Sequence, residues 1–215
     1  HPQIVECRHC GLVYANPRWS TDDVMDAYSA VQDETYVEER LGRELTFRHH
    51  LRDMERAIGP ADGRALLDVG AYIGVFVEAA AAAAWQAQGV EPSEWAAAEA
   101  QRRSLDVQVG TLDNADLVEE SFDVVTMWDV IEHLADPAAE LDKARRLLRP
   151  GGWLVVHTMD IDAPFSRLAG SRWPWLMDMH LYYFSRRTLR CMLSEHGYNV
   201  VWDGAQRRYL SLGYL

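Results

Sequence analysis

Short apolar runs and helix-length segments alternate from residue 65 onward, and little else in the chain narrows its fold as much. Ala65-Leu66-Leu67-Asp68-Val69 is too short for a helix and ends at Gly70; helix-forming residues follow through Ala84. A second run closes at Gln88-Gly89-Val90-Glu91, and Pro92-Ser93 opens a helix to about Arg103. Val107 to Val109, Phe122 to Met127 and Trp153 to His157 supply further strands, with a helix over Pro137 to Leu148 and a turn at Arg149-Pro150-Gly151-Gly152. This order predicts an α/β fold, a mostly parallel sheet with helices on both faces. Such sheets bind ligands at the carboxyl ends of their strands, so functional residues are sought just after Val69, Val90, Val109, Met127 and His157.

Ahead of the sheet, Glu6-Cys7-Arg8-His9-Cys10-Gly11 has the form of a knuckle, followed by a strand that Asn16-Pro17 breaks. Ser20 or Thr21 can cap a short helix through Ala30, with Asp22 and Asp23 in its first turn. A longer helix is predicted from about Glu38 to Ile58, where Leu41, Leu45, Leu51, Met54 and Ile58 form an apolar face, ended by Gly59-Pro60. Three regions result: a knuckle segment over 1–19, a helical extension or lid over 20–59, and the α/β domain over 60–215. The Trp-, Met- and Pro-rich stretch from Asp160 to Phe184 is longer than ordinary loops and suits a lid or substrate wall.

Charge bears on partners. With 21 Lys and Arg against 33 Asp and Glu, the net charge is −12, which repels phosphate backbones and speaks against nucleic acid. The densest basic groups, Arg145-Arg146 with Arg149 and Arg186-Arg187 with Arg190, fit solvated helix faces. No apolar run approaches the roughly 20 residues of a membrane helix. No secretory leader is read, and Cys7, Cys10 and Cys191 do not make a disulfide framework, so a cytoplasmic location is expected.

Gly70 follows the first strand, and Gly74 stands four residues on, where the next helix opens. Between strand and helix, glycine lets the backbone turn sharply and approach a ligand; the bland alternative is an ordinary tight turn. Glu91, 21 positions after Gly70, ends the second strand, where a carboxylate can accept two hydrogen bonds from ribose hydroxyls. Together they point to a nucleoside ligand. Asp113, after the third strand, can meet an adenine amino group or cap its turn.

Leu67-Asp68-Val69-Gly70 with Gly74, Val90-Glu91-Pro92-Ser93, Phe122-Asp123-Val124-Val125 with Glu132-His133-Leu134, and Leu147-Leu148-Arg149-Pro150-Gly151-Gly152 resemble the successive motifs of class I S-adenosylmethionine-dependent methyltransferases. The resemblance covers about residues 60 to 203 and lies nearest the group with ubiquinone-type and natural-product enzymes. It implies a Rossmann-like domain that moves a methyl group from S-adenosylmethionine to a small-molecule acceptor, a sugar or natural-product intermediate among the options. It also implies a cofactor site drawing on Asp68, Gly70, Tyr72, Gly74, Glu91, Asp113, Trp128 and Asp129. Tyr36, Tyr72 and Trp128 are the rings offered to the cationic sulfonium. The family usually places glycine where Tyr72 stands. Its sheet adds an antiparallel strand at its end: Tyr198 to Trp202 suits the sixth strand, no seventh is placed before Leu215, and a longer natural chain is expected.

Asp129-Val130-Ile131-Glu132-His133 follows the fourth strand, and His180 opens His180-Leu181-Tyr182-Tyr183-Phe184-Ser185, with Ser185 as helix cap. Three roles compete. His133 or His180 is a general base; or Asp129, Glu132, His133 and His180 hold a divalent metal, as in metal-dependent members of the superfamily; or these residues only fix a loop. Cys7 and Cys10 resemble half of a zinc ribbon, which needs two further ligands, supplied in similar methyltransferases by an upstream pair. Two rival functions remain: a cofactor-binding module without catalysis, and a nicotinamide oxidoreductase, against which the Leu-Arg-Pro-Gly-Gly run argues.

Overall fold

A computed structural model describes residues 3–20, 23–24 and 40–206. The chain divides into two compact units: Ala27–Met127 with Ala144–Val155 and Gly204–Leu215, and His1–Asp26 with Trp128–Lys143 and Val156–Asp203.

The first unit carries the large sheet. Helix α1 (Arg40–Ile58) precedes it, and the strands β3 (Ala65–Val69), β4 (Gln86–Glu91), β5 (Val107–Val109), β6 (Phe122–Trp128) and β7 (Leu148–His157) lie in the order β5-β4-β3-β6-β7. The pairs β3–β4, β3–β6 and β4–β5 are parallel, with Val69 opposite both Val90 and Met127. Leu66, Leu67, Val90, Val124, Val125 and Met127 are buried, so the near-continuous apolar strands reflect a sheet covered on both faces. Helices α2 (Val75–Ala82) and α3 (Glu94–Arg102) follow the first two sheet strands. Small residues let α2 and α3 pack closely: Ala71, Val77, Ala97, Ala100 and Val107 form one core cluster. Phe47 of α1 meets Phe76 of α2 edge-on, their ring centroids 5.5 Å apart. Arg64 closes the carboxyl end of α1 by donating to the carbonyls of Ile58, Gly59 and Pro60.

The second unit holds a small antiparallel sheet, β1 (Ile4–Glu6), β2 (Val13–Ala15) and β8 (Tyr182–Tyr183), in that order. Arg18 lies over the rings of Tyr14 and Tyr182 and donates to the Tyr182 hydroxyl. Ser185 caps α6 (Arg186–Glu195) through a reciprocal pair of bonds with Thr188, as its sequence context predicts. The helix α4 (Pro137–Leu147) begins in this unit and ends in the first.

Several elements depart from expectation. The long loop contains helix α5 (Pro164–Ala169), a 3-10 turn and β8. Trp173 within it is buried, so it fills the core of its unit rather than lining a surface. The turn at Arg149–Gly152 is absorbed into β7, which bends at Gly151 with φ 81. Tyr198 to Trp202 does not form a strand; Val201 and Trp202 are exposed, and the Tyr198 hydroxyl is spent on the Leu141 carbonyl at 2.8 Å. Of the short helix expected after the cap at Ser20 or Thr21 and running to Ala30, Asp23 and Val24 are described, both helical, with the Ser20 hydroxyl accepting from the Asp23 N–H as a cap does.

Candidate functional site

In the sheet unit, β3 ends at Val69 and the chain turns through Gly70, Ala71 and Tyr72 before α2. The N–H groups of Gly70 and Ala71 both donate to the Val90 carbonyl, which ties the turn to the end of β4. Gly70 at φ 69 and Gly74 at φ 75 take left-handed conformations. Gly74 also sits where a Cβ would come within 2.8 Å of Leu105 Cδ1 and 3.0 Å of Ala100 Cβ, so close packing against α3 and β5 requires its bare backbone. Tyr72 adopts φ 48 as well, which explains why related turns use glycine there; its ring lies 6.0 Å from that of Trp95.

Glu91 is fully buried at the end of β4. Its Oε2 accepts from the Tyr72 N–H and its Oε1 from the Ser93 N–H, each at 2.8 Å. Burial pushes its carboxyl up to about 7 against the pull of those two bonds. Asp68, one residue before the end of β3, is also buried and accepts from Thr126 Oγ1 at 2.6 Å. Burial, opposed by the Thr126 bond and assisted by the Glu91 charge, raises it to about 8. The structure thus brings Asp68, Gly70, Tyr72 and Glu91 together, with Gly74 behind them. Ser93, which the sequence offers only as a helix opener and part of the Val90–Ser93 motif, and Thr126, for which the sequence carries no local signal, complete the arrangement. Asp113 is exposed on the loop after β5, its N–H donating to Thr111 Oγ1. Tyr36 lies outside the described residues.

In the second unit, Glu132, His133 and His180 offer one ligand atom each within 4.8 Å of one another. The two imidazole centroids stand 4.7 Å apart, edge to face. The Glu132 carbonyl accepts from Leu181 and Tyr182, fixing the His180 segment beside it. His133 Nδ1 lies 2.9 Å from the Met179 carbonyl oxygen, and His180 Nδ1 lies 2.8 Å from that of Trp175. A carbonyl can only accept, so each Nδ1 carries the proton and each Nε2 the lone pair. Burial lowers the pKa of His133, and burial with the neighbouring His133 charge takes His180 down to about 4. Trp128 and Asp129 lie in this unit too, beside His157 rather than within the trio: Asp129 Oδ1 is 2.8 Å from His157 Nδ1, and the Trp128 ring is 6.0 Å from that imidazole.

Cys7 and Cys10 sit on the β1–β2 turn, Cys7 half-buried and Cys10 exposed. Backbone N–H groups of Cys10 and His9 hold the Cys7 thiol below its ordinary pKa. Among the described residues, Glu132, His133 and His180 form the one group of three metal-type ligands, and Cys7 and Cys10 stand outside it.

A parallel sheet with a left-handed glycine turn after its first strand and a buried acid ending the second defines an α/β protein built for a nucleoside-containing cofactor. A family model described as a methyltransferase domain matches residues 38–202, and the chain belongs to that family. Ubiquinone biosynthesis O-methyltransferases are among its relatives. That of Thiobacillus denitrificans is 34% identical over 51% of this chain and 50% of its own. That of Leptothrix cholodnii is 30% identical over 50% and 49%. The chain thus spans about half the length of the curated relatives it matches. A SAM-dependent methyltransferase from Thermotoga maritima superposes with a TM-score of 0.62 at 26% identity, covering 78% of this chain and 76% of that one. The fold is shared with magnesium protoporphyrin IX methyltransferase from Synechocystis bound to SAH, TM-score 0.66 at 16% identity over 87% and 94%.

Proposed function

We propose that the chain transfers a methyl group from S-adenosylmethionine to a small-molecule acceptor. The observation that carries this is Glu91: a buried carboxylate at the end of β4, oriented by the N–H groups of Tyr72 and Ser93, in a family of methyltransferases. Each carboxylate oxygen keeps a second lone pair for a ribose hydroxyl. Gly70, Tyr72 and Asp68 frame the turn that a cofactor would approach, with Asp113, Trp128, Asp129 and Tyr36 assigned to it by resemblance. S-adenosylmethionine supplies an activated methyl on a cationic sulfur, so the protein's work is to position and desolvate the nucleophile. A small acceptor is supported by the acidic net charge of −12 and by relatives named for ubiquinone biosynthesis.

The trio in the second unit favours a metal-assisted form of this reaction. Glu132, His133 and His180 supply one carboxylate and two imidazole lone pairs, a donor set suited to a divalent transition metal or a hard cation with added water. Backbone carbonyls on both Nδ1 atoms are the usual outer support for histidine ligands. The burial that keeps these imidazoles neutral suits them as ligands better than as proton acceptors. Such a cation would lower the pKa of an acceptor hydroxyl. Cys7 and Cys10 would supply half of a tetrahedral zinc site, its other two ligands an upstream pair as in similar methyltransferases.

The test is conversion of S-adenosylmethionine to S-adenosylhomocysteine with a panel of phenols, catechols, sugars and amines. Turnover by at least one, abolished by a chelator and restored by magnesium or manganese, is expected. Turnover indifferent to chelation would leave methyl transfer standing without the metal. Cofactor binding with no turnover across the panel would favour the non-catalytic module.

A further inference from the structure

The turn that carries Gly70, Tyr72 and Gly74 is held at successive peptides. Gly70 and Ala71 donate to the Val90 carbonyl, Tyr72 donates to Glu91, and Gly74 donates to the Ala71 carbonyl. Ile73 stands just ahead of Gly74, the cap of α2, so its carbonyl lies outside the helical ladder and takes its donor from a side chain, Arg103 Nη2. Arg103 caps the carboxyl end of α3, and its Nη1 meets Glu78 Oε2 at 2.7 Å. One guanidinium fork thus grips the turn and the start of α2 together. Glu78 also accepts from Arg40, the first residue of α1: a single nitrogen, Nη2, lies 2.8 Å from Oε1 and 2.7 Å from Oε2. Burial lowers the Arg103 pKa, the Glu78 charge opposes that, and the like charge of Arg40 adds to it, so the carboxylate offsets the repulsion between the two guanidiniums. An apolar contact joins the same parts: Phe47 of α1, Tyr72 of the turn and Trp95 of α3 pack on a buried cluster of Ile73, Val75 and Ala96. The far end of α1 has an anchor of its own, the bond from Trp85 Nε1 to Glu55 at 3.0 Å.

We propose that Arg103 is a positioning residue for the cofactor turn, oriented by Glu78, and that Arg40 extends the same hold to α1. This rests on the methyl-transfer reading above. Tyr72 at φ 48 keeps a conformation that its neighbours must enforce. The Ile73 carbonyl that Arg103 holds is one residue on, so the guanidinium sets the direction in which the chain leaves that strained position. The two arginines differ in what they require. Arg103 places two nitrogens on two acceptors, a span that one lysine ammonium cannot make. Arg40 places one nitrogen on one carboxylate, which an ammonium can reproduce.

Hydrogen exchange on the whole chain, with no ligand added, reads the hold directly. Arg103→Met and Arg103→Lys should both speed exchange of the Tyr72 and Gly74 amides by about three- to tenfold, with Val124 and Val125 of β6 unmoved as the reference. Arg40→Met should speed the amides of Glu44 and Leu45 in α1 together with those of the turn, and Arg40→Lys should restore both. Turn amides unmoved in Arg103→Met, or an Arg103→Lys chain that matches the wild type, overturn the proposal whether or not a cofactor binds. If Arg103→Met loosens β6 as well, Glu78→Gln, which keeps the shape of the side chain, replaces it with the same expectation. Calorimetry with S-adenosylhomocysteine is the second readout. Its Kd should rise about three- to tenfold in Arg103→Met, Arg103→Lys and Arg40→Met, and stay at the wild-type value in Arg40→Lys. Faster turn exchange with unchanged affinity overturns the positioning role and leaves the methyltransferase reading intact. A wild-type chain that fails to bind S-adenosylhomocysteine fails that broader reading instead, and the exchange result then decides the hold by itself.

Discussion

Asp68 and Glu91 are held against their ordinary ionisation: burial raises the first to about 8 and the second to about 7. An acid whose folded pKa is raised binds more protons in the fold than in the unfolded chain. Stability is then full below the unfolded carboxyl pKa, falls as pH rises through the folded values, and levels off above about 8. The slope is at most about 1.4 kcal/mol per pH unit for each proton. Chemical denaturation between pH 5 and 9 should show this decline, and Asp68→Asn, which mimics the neutral acid, should flatten it. Equal slopes in the two proteins would show that Asp68 is not protonated in the fold. Sequence pointed to Glu91 as the acid that ends the second strand, 21 positions after Gly70, and the family resemblance added Asp68 beside that glycine. It could not give their charge state, which depends on burial and on groups brought in from 58 and 19 residues away, the Thr126 hydroxyl on Asp68 and the Tyr72 N–H on Glu91. The bond between Asp129 and His157 is hidden in the same way: 28 residues separate the two, and the adjacency of β6 and β7 joins them.

The turn from β3 into α2 is the element on which the cofactor site depends. Gly74→Ala would place a methyl group against Leu105 and Ala100 and force alanine to φ 75. A loss of about 1–3 kcal/mol is expected, read as a lower urea midpoint at unchanged m-value. An unchanged midpoint would mean that α2 and α3 can part without cost. Elements with local signals emerged well from sequence: β3 over Ala65–Val69 and the helix after Ser93 fall where the apolar runs and the cap residue put them. Elements defined by remote pairing did not. β8 has two residues and exists because β2 lies beside it, with Val13 opposite Tyr183. Tyr198 to Trp202 has the β-branched and aromatic residues of a strand, yet its Val201 and Trp202 side chains are exposed. Such residues favour a strand only where a neighbouring strand pairs with them.

Taken as a whole the chain is acidic, and among its described residues no helix is long and apolar enough to cross a membrane. Its net charge of −12 should keep it from RNA even at low salt, where electrostatic affinity is greatest. Filter binding in low-salt buffer should therefore give no saturation in the micromolar range. Micromolar binding that weakens steeply with salt would overturn the small-molecule reading. The membership of the methyltransferase family rests on residues 38–202, most of the chain, so the cofactor is the part of the account that can be tried without knowing the acceptor.

Calorimetric titration with S-adenosylhomocysteine, beside NAD and NADP, puts that part to the test. One mole should bind per mole of chain, and neither nicotinamide cofactor should bind. Glu91→Ala should weaken the affinity by about 1.5–3 kcal/mol, the worth of hydrogen bonds to a charged group, or roughly 10- to 150-fold in Kd. A chain that binds NAD and ignores S-adenosylhomocysteine, or a Glu91→Ala variant that binds it as tightly as the wild type, would contradict the assignment of this site.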